Sequence, residues 1–425
     1  MPRLVAGIDC STQSTKVVLV DPESGTVVVS AHAPHVVTGD DGARETDPEI
    51  WWQALRGALA TTGRAGDVAA ISVAGQQHGL VVLDAAGTPL RPATLWNDTR
   101  SAPDAVRLTE LLGGADAAAS RIGSVPVASI TATSWLWLRR VEPELAARVA
   151  HVRLPHDFMT ERLSGAGVTD RGDASGTGWW SPAQERYDDG VLELIGLDRA
   201  ALPRVLGPRE AAGTAATAAI ELGLPADLLV ACGTGDNMGA ALGLGVAPGV
   251  PVVSLGTSGT AFAVSTTPAA DGSGVVAGFA DASGRYLPLA CTLNCTLAID
   301  RIAAWLGLDR EAVEDGGEVV VLPFLDGERT PNRPLASGTI TGLRHATTPG
   351  QILRAAYEGA ACSLVDAVDE LHGAGSGLDD DAPIVLVGGG SRGRVWQDTI
   401  RRLSGRALLV PAHDELVALG AAAQA

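Results

Sequence analysis

The sequence contains almost no lysine. Lys and Arg together number 31 in the 425 residues, and a single lysine, Lys16, is among them. Acidic residues outnumber basic ones, and the formal net charge of −18 argues against a nucleic-acid-binding surface. Aromatic residues make up only 4%, but hydrophobic residues as a class reach 46%. A chain of this length and composition is expected to bury sizeable cores, by default in two domains.

Long hydrophobic runs and a cysteine framework are also missing. No stretch approaches the roughly 18 apolar residues of a membrane helix, so no membrane association is expected. The chain enters an apolar strand near Leu4 without the hydrophobic region of a signal peptide. The five cysteines are scattered, and Cys291 and Cys295 have no second pair, which indicates neither disulfides nor a zinc site. We therefore expect a cytoplasmic protein.

The candidate site centres on residues 230–239. This stretch predicts a short apolar strand, a glycine-rich turn and the start of a helix. Junctions of this kind hold a side chain at the mouth of a cleft, and here the turn presents Asp236 with Asn237 beside it. A carboxylate in that position can take a proton from a substrate hydroxyl. The alternative is that Asp236 only caps the helix that follows.

Two hydroxyl-rich hairpins flank this centre in the sequence. Residues 4–21 predict two strands joined by a Ser/Thr-rich link, and residues 252–264 repeat the pattern. Hydroxyls and turn N–H groups can hold phosphate oxygens, Lys16 adds a mobile positive charge, and Asp9 is suited to Mg²⁺. The repetition suggests an internal duplication with a phosphate chain held between the halves. A Pro/Gly linker places the boundary between domains 1–246 and 247–425.

Polar side chains also follow two other predicted strands. Strand 68–74 ends in a Gly-Gln-Gln-His-Gly run that contains Gln77 and His78. A second strand end offers Trp96 and Asn97, with a carboxylate and a guanidinium close behind. Amides next to an aromatic ring suit a sugar. The alternatives are that His78 is a structural histidine and that Trp96 belongs to the core.

A glycine-rich turn at residues 388–393 permits a competing interpretation. It fits G-x-G-x-x-G between a strand and a helix, which is the dinucleotide-binding pattern of Rossmann oxidoreductases that use NAD. However, the following acidic pair, Asp414 and Glu415, lies beyond the usual spacing of about 20 residues. The same turn can instead let an adenosine lie close to the backbone. The P-loop motif G-x-x-x-x-G-K-[ST] is absent, which excludes a P-loop kinase.

In combination, these motifs resemble the FGGY family of carbohydrate kinases, within the actin-like ATPase superfamily. Residues 9–16 match the first phosphate loop, 256–259 the second, 388–390 the adenosine loop and 338–358 the C-terminal signature. The N-terminal signature departs at Ser134, where the family usually has lysine. The resemblance covers nearly the whole chain. It implies an α/β fold of two actin-like ATPase (ribonuclease H-like) domains with a cleft between them.

The resemblance also implies a reaction. Residues 76–79 and 96–100 are similar to the sugar pocket of members that phosphorylate D-xylulose with ATP and Mg²⁺, whereas glycerol kinases have an Arg-Glu pair in place of Gln77 and His78. Ribulose and glycerol are the alternative substrates. An inactive sugar sensor is an alternative function, and a homodimer is a possible oligomeric state. Full-length members continue beyond the last strand, so this chain is expected to be a compact or a shortened member.

The roles that the resemblance implies fall into four groups. They are a general base, Asp236; a metal ligand, Asp9; sugar-binding residues, Gln77, His78, Asn97, Asp236 and Asn237; and nucleotide-binding residues, Thr12, Gln13, Ser14, Lys16, Gly256, Thr257, Gly389, Gly390 and Gln397.

Overall fold

The structure, a computed structural model, describes residues 3–425 and divides into two compact units. The first contains the described residues up to Gly245 together with Gly278–Tyr286 and Glu415–Ala425; the second contains Val246–Ala277 and Leu287–Asp414. Each unit is therefore built from separate stretches of chain, and the division into domains 1–246 and 247–425 stays a prediction. Within residues 3–425, no helix has both the length and the apolar character needed to cross a bilayer.

The elements up to residue 245 include short strands and helices inserted between the strands of one large sheet. In chain order they are β1 (Leu4–Cys10), β2 (Ser14–Val20), β3 (Val27–Pro34), β4 (Glu45–Thr46), α1 (Pro48–Thr62), β5 (Val68–Gly75), β6 (Val81–Leu83), β7 (Ala93–Thr94), α2 (Ala102–Leu111), α3 (Ala115–Ile122), α4 (Thr131–Val141), α5 (Pro143–Ala146), β8 (His151–Arg153), α6 (Pro155–Ser164), β9 (Val168–Asp170), α7 (Arg171–Ser175), β10 (Trp180–Ser181), β11 (Arg186–Tyr187), α8 (Asp189–Ile195), β12 (Arg204–Leu206), β13 (Ala211–Thr214), α9 (Thr217–Glu221), β14 (Leu229–Ala231), β15 (Thr234–Gly235) and α10 (Asp236–Leu244).

The remaining elements carry the second hairpin, a long helix and the last helix of the chain. They are β16 (Pro251–Leu255), β17 (Gly259–Ala263), β18 (Val276–Ala280), β19 (Tyr286–Thr292), α11 (Thr296–Leu306), β20 (Val320–Leu322), β21 (Thr339–Thr341), α12 (Pro349–Gly373), β22 (Ile384–Val387), α13 (Arg394–Ser404), β23 (Leu408–Leu409) and α14 (Leu416–Gln424).

The sheet of the first unit aligns the strand ends that carry the candidate site. Its strands lie in the order β13-β14-β5-β1-β2-β3, and β15 also pairs with β5. β1 and β15 both run parallel to β5, with Cys10 and Gly235 each opposite Gly75. Apolar side chains of β1 such as Ile8 are fully buried, as expected for a strand inside a covered sheet. The loops after these three strands therefore leave the sheet at the same edge.

The first hairpin confirms the two strands predicted within residues 4–21. β1 and β2 pair antiparallel with Asp9 opposite Lys16, so both side chains lie at the end of the hairpin that carries the link. α1 begins at Pro48, and the Asp47 side chain caps it by accepting the N–H of Glu49.

The second unit contains the second hairpin. β16 and β17 pair antiparallel, and the neighbouring strands follow the order β19-β17-β16-β22-β23. β16, β22 and β23 run parallel to one another, so the turn after β22 leaves the sheet near the turn after β16. The core includes α12 and α13. Tyr357 and Trp396 pack edge to face there, with their ring centroids 5.0 Å apart. The predicted repetition of strand, Ser/Thr/Gly turn and strand is confirmed in this unit.

One predicted loop is wrong in part. The polar sequence of residues 170–180 predicts a long loop, but these residues include the end of β9 and the helix α7. The Asp170 side chain caps α7 by accepting the N–H groups of Gly172 and Asp173. Residues 170–178 are buried, and several of their polar groups are hydrogen-bonded within the protein. The sequence likewise predicts a helix over residues 143–150, whereas α5 ends at Ala146.

Candidate active site

Three side chains meet where β5 and β15 end. The Nδ2 group of Asn237 donates to Gln77 Oε1 at 2.9 Å and to Asp236 Oδ1 at 3.1 Å. The backbone N–H of Asn237 also donates to Asp236 Oδ1, at 2.8 Å. One amide therefore links the predicted base to a predicted sugar-binding residue, and both acceptors are fixed at the same edge of the sheet.

Asp236 is the first residue of α10, and the proposal that it only caps this helix is wrong. The N-cap position is taken by Gly235, and Asp236 follows it as the first helical residue. Burial, followed by the negative charges of Asp9 and Asp173, raises the pKa of Asp236 from 3.8 to about 7. A carboxyl that titrates near neutral pH is well matched to accepting a proton from a hydroxyl.

The first phosphate loop carries one buried acid and one cation. Lys16 Nζ lies 2.9 Å from a carboxylate oxygen of Glu415, at the start of α14. Burial raises the pKa of Asp9 to about 6; Lys16 lowers this pKa and Glu415 raises it. Thr12 Oγ1 donates to Gln76 Oε1 at 3.3 Å and accepts from the Trp96 indole at 3.0 Å.

Two further residues of this loop, Gln13 and Ser14, differ in exposure. Gln13 is exposed, and Ser14 is half-buried at the first position of β2. Gln13 lies in the turn with Thr12, whereas Ser14 begins the strand that carries Lys16. Their assignment to phosphate binding stays a prediction.

Asp9 meets the chemical requirement for a magnesium ligand. Its Oδ1 atom is buried and has no hydrogen-bond partner within residues 3–425. Across the described chain, no group of three or more His, Cys, Asp or Glu side chains is arranged around a common metal position. A single carboxylate suits Mg²⁺ because this ion keeps several waters and takes its other ligands from phosphates.

The predicted sugar-binding residues His78 and Asn97 lie in the same unit. His78 adopts a left-handed backbone conformation (φ 67°), and its Nδ1 atom is 2.8 Å from the carbonyl oxygen of Gly176. The centroid of the His78 ring also lies 5.5 Å from that of the Phe279 ring. Asn97 Oδ1 is buried without a partner in the described chain. The alternative that Trp96 is a core residue is wrong, because its side chain is 39% exposed.

The charges that follow Asn97 have a structural role. Asp98 is buried and accepts hydrogen bonds from the Arg100 guanidinium and from the backbone N–H of Arg44. Arg100 also pairs with Glu45 and lies 4.2 Å above the Trp137 ring. This network fixes the loop that presents Asn97.

In the second unit, two backbone turns are suited to a nucleotide. The turn at residues 256–258 is fixed by Thr296, whose hydroxyl donates to the carbonyl of Gly256 at 2.7 Å. In the glycine turn after β22, a Cβ on Gly389 would meet nothing within 4 Å, whereas one on Gly390 would lie 2.9 Å from Leu255 Cβ. The open face at Gly389 leaves room for a ligand against the backbone.

The other predicted nucleotide-binding residues of this unit are Thr257 and Gln397. Thr257 is exposed within the first turn, and its carbonyl accepts from the N–H of Leu297. Gln397 donates its side-chain amide to the carbonyl of Ser391 at 2.8 Å, which supports the glycine turn from α13.

Comparison with known proteins assigns the whole chain to one family. Residues 4–243 match the N-terminal domain of the FGGY family of carbohydrate kinases, and residues 252–425 match its C-terminal domain. The chain belongs to the FGGY family of carbohydrate kinases. The two-domain fold of the family, related to actin-like ATPases, is therefore confirmed.

Individual relatives agree with the family assignment. Xylulose kinase of Streptomyces coelicolor is 61% identical over 425 residues, which cover 99% of this chain and 87% of the relative. Xylulose kinase of Streptomyces rubiginosus is 60% identical over a comparable span. The crystal structure of xylulose kinase from Bifidobacterium adolescentis superposes with a TM-score of 0.89 at 38% identity, covering 100% of this chain and 92% of that one.

The family assignment decides between the competing predictions. The FGGY C-terminal model includes the glycine turn at residues 388–393, so the Rossmann oxidoreductase is not favoured. A carbohydrate kinase implies a sugar and ATP as substrates. The inactive sugar sensor is likewise not favoured.

The sequence-based reasoning missed a buried ionic cluster in the first unit. His156, Asp157, Asp170 and Asp173 are each at most 2% exposed. The available signal was the pair of titratable residues His156 and Asp157 directly after Pro155, at the start of α6.

Proposed function

We propose that the chain transfers the γ-phosphoryl group of ATP to the terminal hydroxyl of D-xylulose, giving D-xylulose 5-phosphate and ADP. The observation that carries this proposal is the hydrogen-bonded group of Gln77, Asn237 and Asp236 at the edge of the first sheet. Its support in the comparisons is the 61% identity to a curated xylulose kinase over nearly the whole chain.

Asp236 is the general base in the proposed reaction. Its carboxylate accepts the proton of the terminal hydroxyl as that oxygen forms a bond to the γ-phosphorus and the bond to the leaving ADP oxygen breaks. A positioned base contributes about 10²–10⁴-fold to the rate. The hydrogen bonds from Asn237 hold one carboxylate oxygen, Oδ1, and leave the other for the substrate.

The proposed sugar contacts come from the first unit. Gln77, His78, Asn97 and Asn237 present amide and imidazole groups, which match the alternating hydroxyl and carbonyl groups of a ketose. The buried, unpartnered Oδ1 atom of Asn97 supports this role, because a hydroxyl donor from the sugar satisfies it. Asn237 fixes the Gln77 amide, which favours one orientation of the bound sugar.

The proposed nucleotide contacts are assigned separately in each unit. In the first, Thr12, Gln13, Ser14 and Lys16 donate to phosphate oxygens, and Asp9 holds Mg²⁺ directly or through water. In the second, Gly256 and Thr257 donate to phosphates, and Gly389 and Gly390, supported by Gln397, accept the adenosine. When bound, Mg²⁺ supplies neutralisation of the charge that develops on the phosphate oxygens. The cytoplasmic location and the homodimer stay predictions.

A coupled assay of ATP turnover tests the proposal. The protein is assayed with Mg²⁺ on D-xylulose, D-ribulose, L-ribulose, glycerol and a blank without sugar, and Asp236→Ala is assayed alongside. We expect turnover chiefly on D-xylulose, lost in the variant. Turnover chiefly on another polyol would contradict the substrate, and unchanged turnover in the variant would contradict the base.

A further inference from the structure

A buried histidine of the first unit lies within a ring of three carboxylates. His156 is the second residue of α6 and has no solvent-exposed surface. Its Nδ1 atom donates to Asp173 Oδ2 at 2.7 Å, and its Nε2 atom lies 3.2 Å from Asp157 Oδ1 and 3.9 Å from Asp170 Oδ1. The carboxylates come from α6, β9 and α7, so the imidazole connects three elements.

The imidazole also lies against the two strand ends that carry the candidate site. A Cβ added to Gly75, next to Gln76 and Gln77, would lie 3.0 Å from His156 Cβ. A Cβ added to Gly233, three residues before Asp236, would lie 2.6 Å from His156 Cδ2. The histidine is thus in close contact with both turns, and neither position has room for a larger residue.

Hydrogen bonds extend this contact on the side of the catalytic turn. Thr234 Oγ1 donates to Asp170 Oδ2 at 2.8 Å, and the N–H groups of Gly172 and Asp173 donate to the same carboxyl group. Thr234 is fully buried and lies two residues before Asp236. A displacement of His156 or of its carboxylates is therefore transmitted to the backbone that presents the base.

The charged groups of the cluster act electrostatically on the proposed base, Asp236, and interact with a proposed sugar-binding residue, Gln77. Burial acts against protonation of His156, but Asp157, Asp173 and Asp170 outweigh it and raise the pKa of His156 to about 9. Burial raises the pKa of Asp173, while the hydrogen bond from His156 and the interaction with the Gln77 side chain act to lower it. Asp173 in turn is one of the charges that raise the pKa of Asp236.

We propose that His156, held by Asp170 and Asp173, is a positioning residue that fixes the separation of Gln77 and Asp236 and so sets the affinity and reactivity of the sugar. His156 contacts no substrate; it acts through Gly75, Gly233 and the carboxylates. The inference rests on the proposed function, because it assigns a role within the same sugar site.

The test compares Asp173→Asn with Asp104→Asn. Both changes remove a buried charge at nearly constant volume, but Asp104 pairs with Arg140 on α4 and has no bond to the candidate site. We expect Asp173→Asn to lower kcat/KM for D-xylulose on the order of 10- to 100-fold, while the KM for ATP changes less than about twofold. Calorimetry with D-xylulose and with a non-hydrolysable ATP analogue is expected to show weakened binding of the sugar alone. Asp104→Asn is expected to leave all these constants unchanged.

A second variant keeps the test decisive if Asp173→Asn does not fold. Thr234→Val removes the bond to Asp170 without changing any charge, and we expect it to weaken sugar binding in the same direction. We also compare two variants of the histidine. We expect His156→Lys, which keeps a positive charge, to bind the sugar more tightly than His156→Gln, which does not. Equal loss for sugar and nucleotide, or kinetics like those of Asp104→Asn, would overturn the inference. A wild-type protein that neither binds nor phosphorylates any sugar of the panel overturns the proposed function itself.

Discussion

Asp236 carries a charge that the folded protein disfavours. Its folded pKa of about 7 lies above the unfolded value of 3.8, so the folded state binds more protons between these pH values. Stability must then fall as the pH rises through this window, because deprotonation is easier in the unfolded chain. The ionised carboxylate of Asp236 therefore lowers the stability of the folded protein, as groups at functional sites commonly do.

Replacing Asp236 with Asn tests this at the level of one residue. We expect Asp236→Asn to abolish sugar phosphorylation and yet to raise the free energy of unfolding at pH 8 by about 1–2 kcal/mol, since partial exposure screens the full repulsion. At pH 4 the gain should disappear. Chemical denaturation at both pH values measures it. A variant less stable than the wild type at pH 8 would contradict the stated electrostatic cost.

The single lysine offers a second test at this scale. Lys16 and Glu415 are both about one-third exposed, so their ion pair contributes at most about 1 kcal/mol to stability. Lys16→Ala should therefore fold normally, but it should raise the KM for ATP about tenfold or more because a charged hydrogen bond to phosphate is lost. The KM for the sugar should stay within about twofold.

Arg3→Ala is the matched control for Lys16→Ala. Arg3 pairs with Asp227 on an exposed surface of the same unit, so its removal changes the net charge by the same amount. We expect unchanged kinetics for this variant. If Lys16→Ala left both KM for ATP and kcat unchanged, the phosphate role of Lys16 would have to be abandoned.

Two helices pack against each other through glycine residues beneath the proposed base, Asp236. α10 begins at Asp236, and α14 packs on it so closely that a Cβ on Gly420 would lie 1.8 Å from the carbonyl oxygen of Gly239. A Cβ on Gly7 would lie at the same distance from the carbonyl oxygen of Ala418, so α14 also lies directly on β1. Small residues at these points allow the backbones to touch.

A single methyl group at this crossing should separate the helices. We expect Gly420→Ala to lower the free energy of unfolding by about 1–3 kcal/mol and to reduce kcat, because α10 carries the proposed base. Gly373→Ala, at the open end of α12, meets nothing within 4 Å and should be neutral or stabilising by up to about 1 kcal/mol. Urea denaturation of both variants checks the contrast. Equal stabilities would show that the crossing tolerates the extra methyl group.

The elements also show what the sequence can predict here. Apolar strands and the polar turns that follow them were sufficient to predict both hairpins and the strand end at Gln77, because these signals are local. The partners of His156 could not be predicted. They lie on β9 and α7, and their polar composition suggested solvent, whereas pairing among themselves allows burial. The Gln77–Asn237 bond was equally inaccessible, since it joins residues 160 positions apart.

At the scale of the whole molecule, the last residues of the chain complete the first unit. Ala418 and Ala422 of α14 pack with Val18 and Val20 of β2. The Gln424 side chain accepts from Ser72 at 2.7 Å and donates to the carbonyl of Gly233 at 3.0 Å, in the turn that precedes Asp236. The first unit therefore depends on residues that follow the second unit in the sequence.

Removal of residues 415–425 should consequently damage the first unit more than the second. Without α14, the buried surface of β1 and β2 meets water and the turn at Gly233 loses the hydrogen bond from Gln424, so amides in both strands should exchange much faster. β16 and β17, which belong to the second unit, should keep their protection and serve as the control within the same sample. Hydrogen exchange followed by mass spectrometry of the full and shortened chains measures both. Unchanged protection in β1 and β2 would mean that α14 covers the sheet without stabilising it.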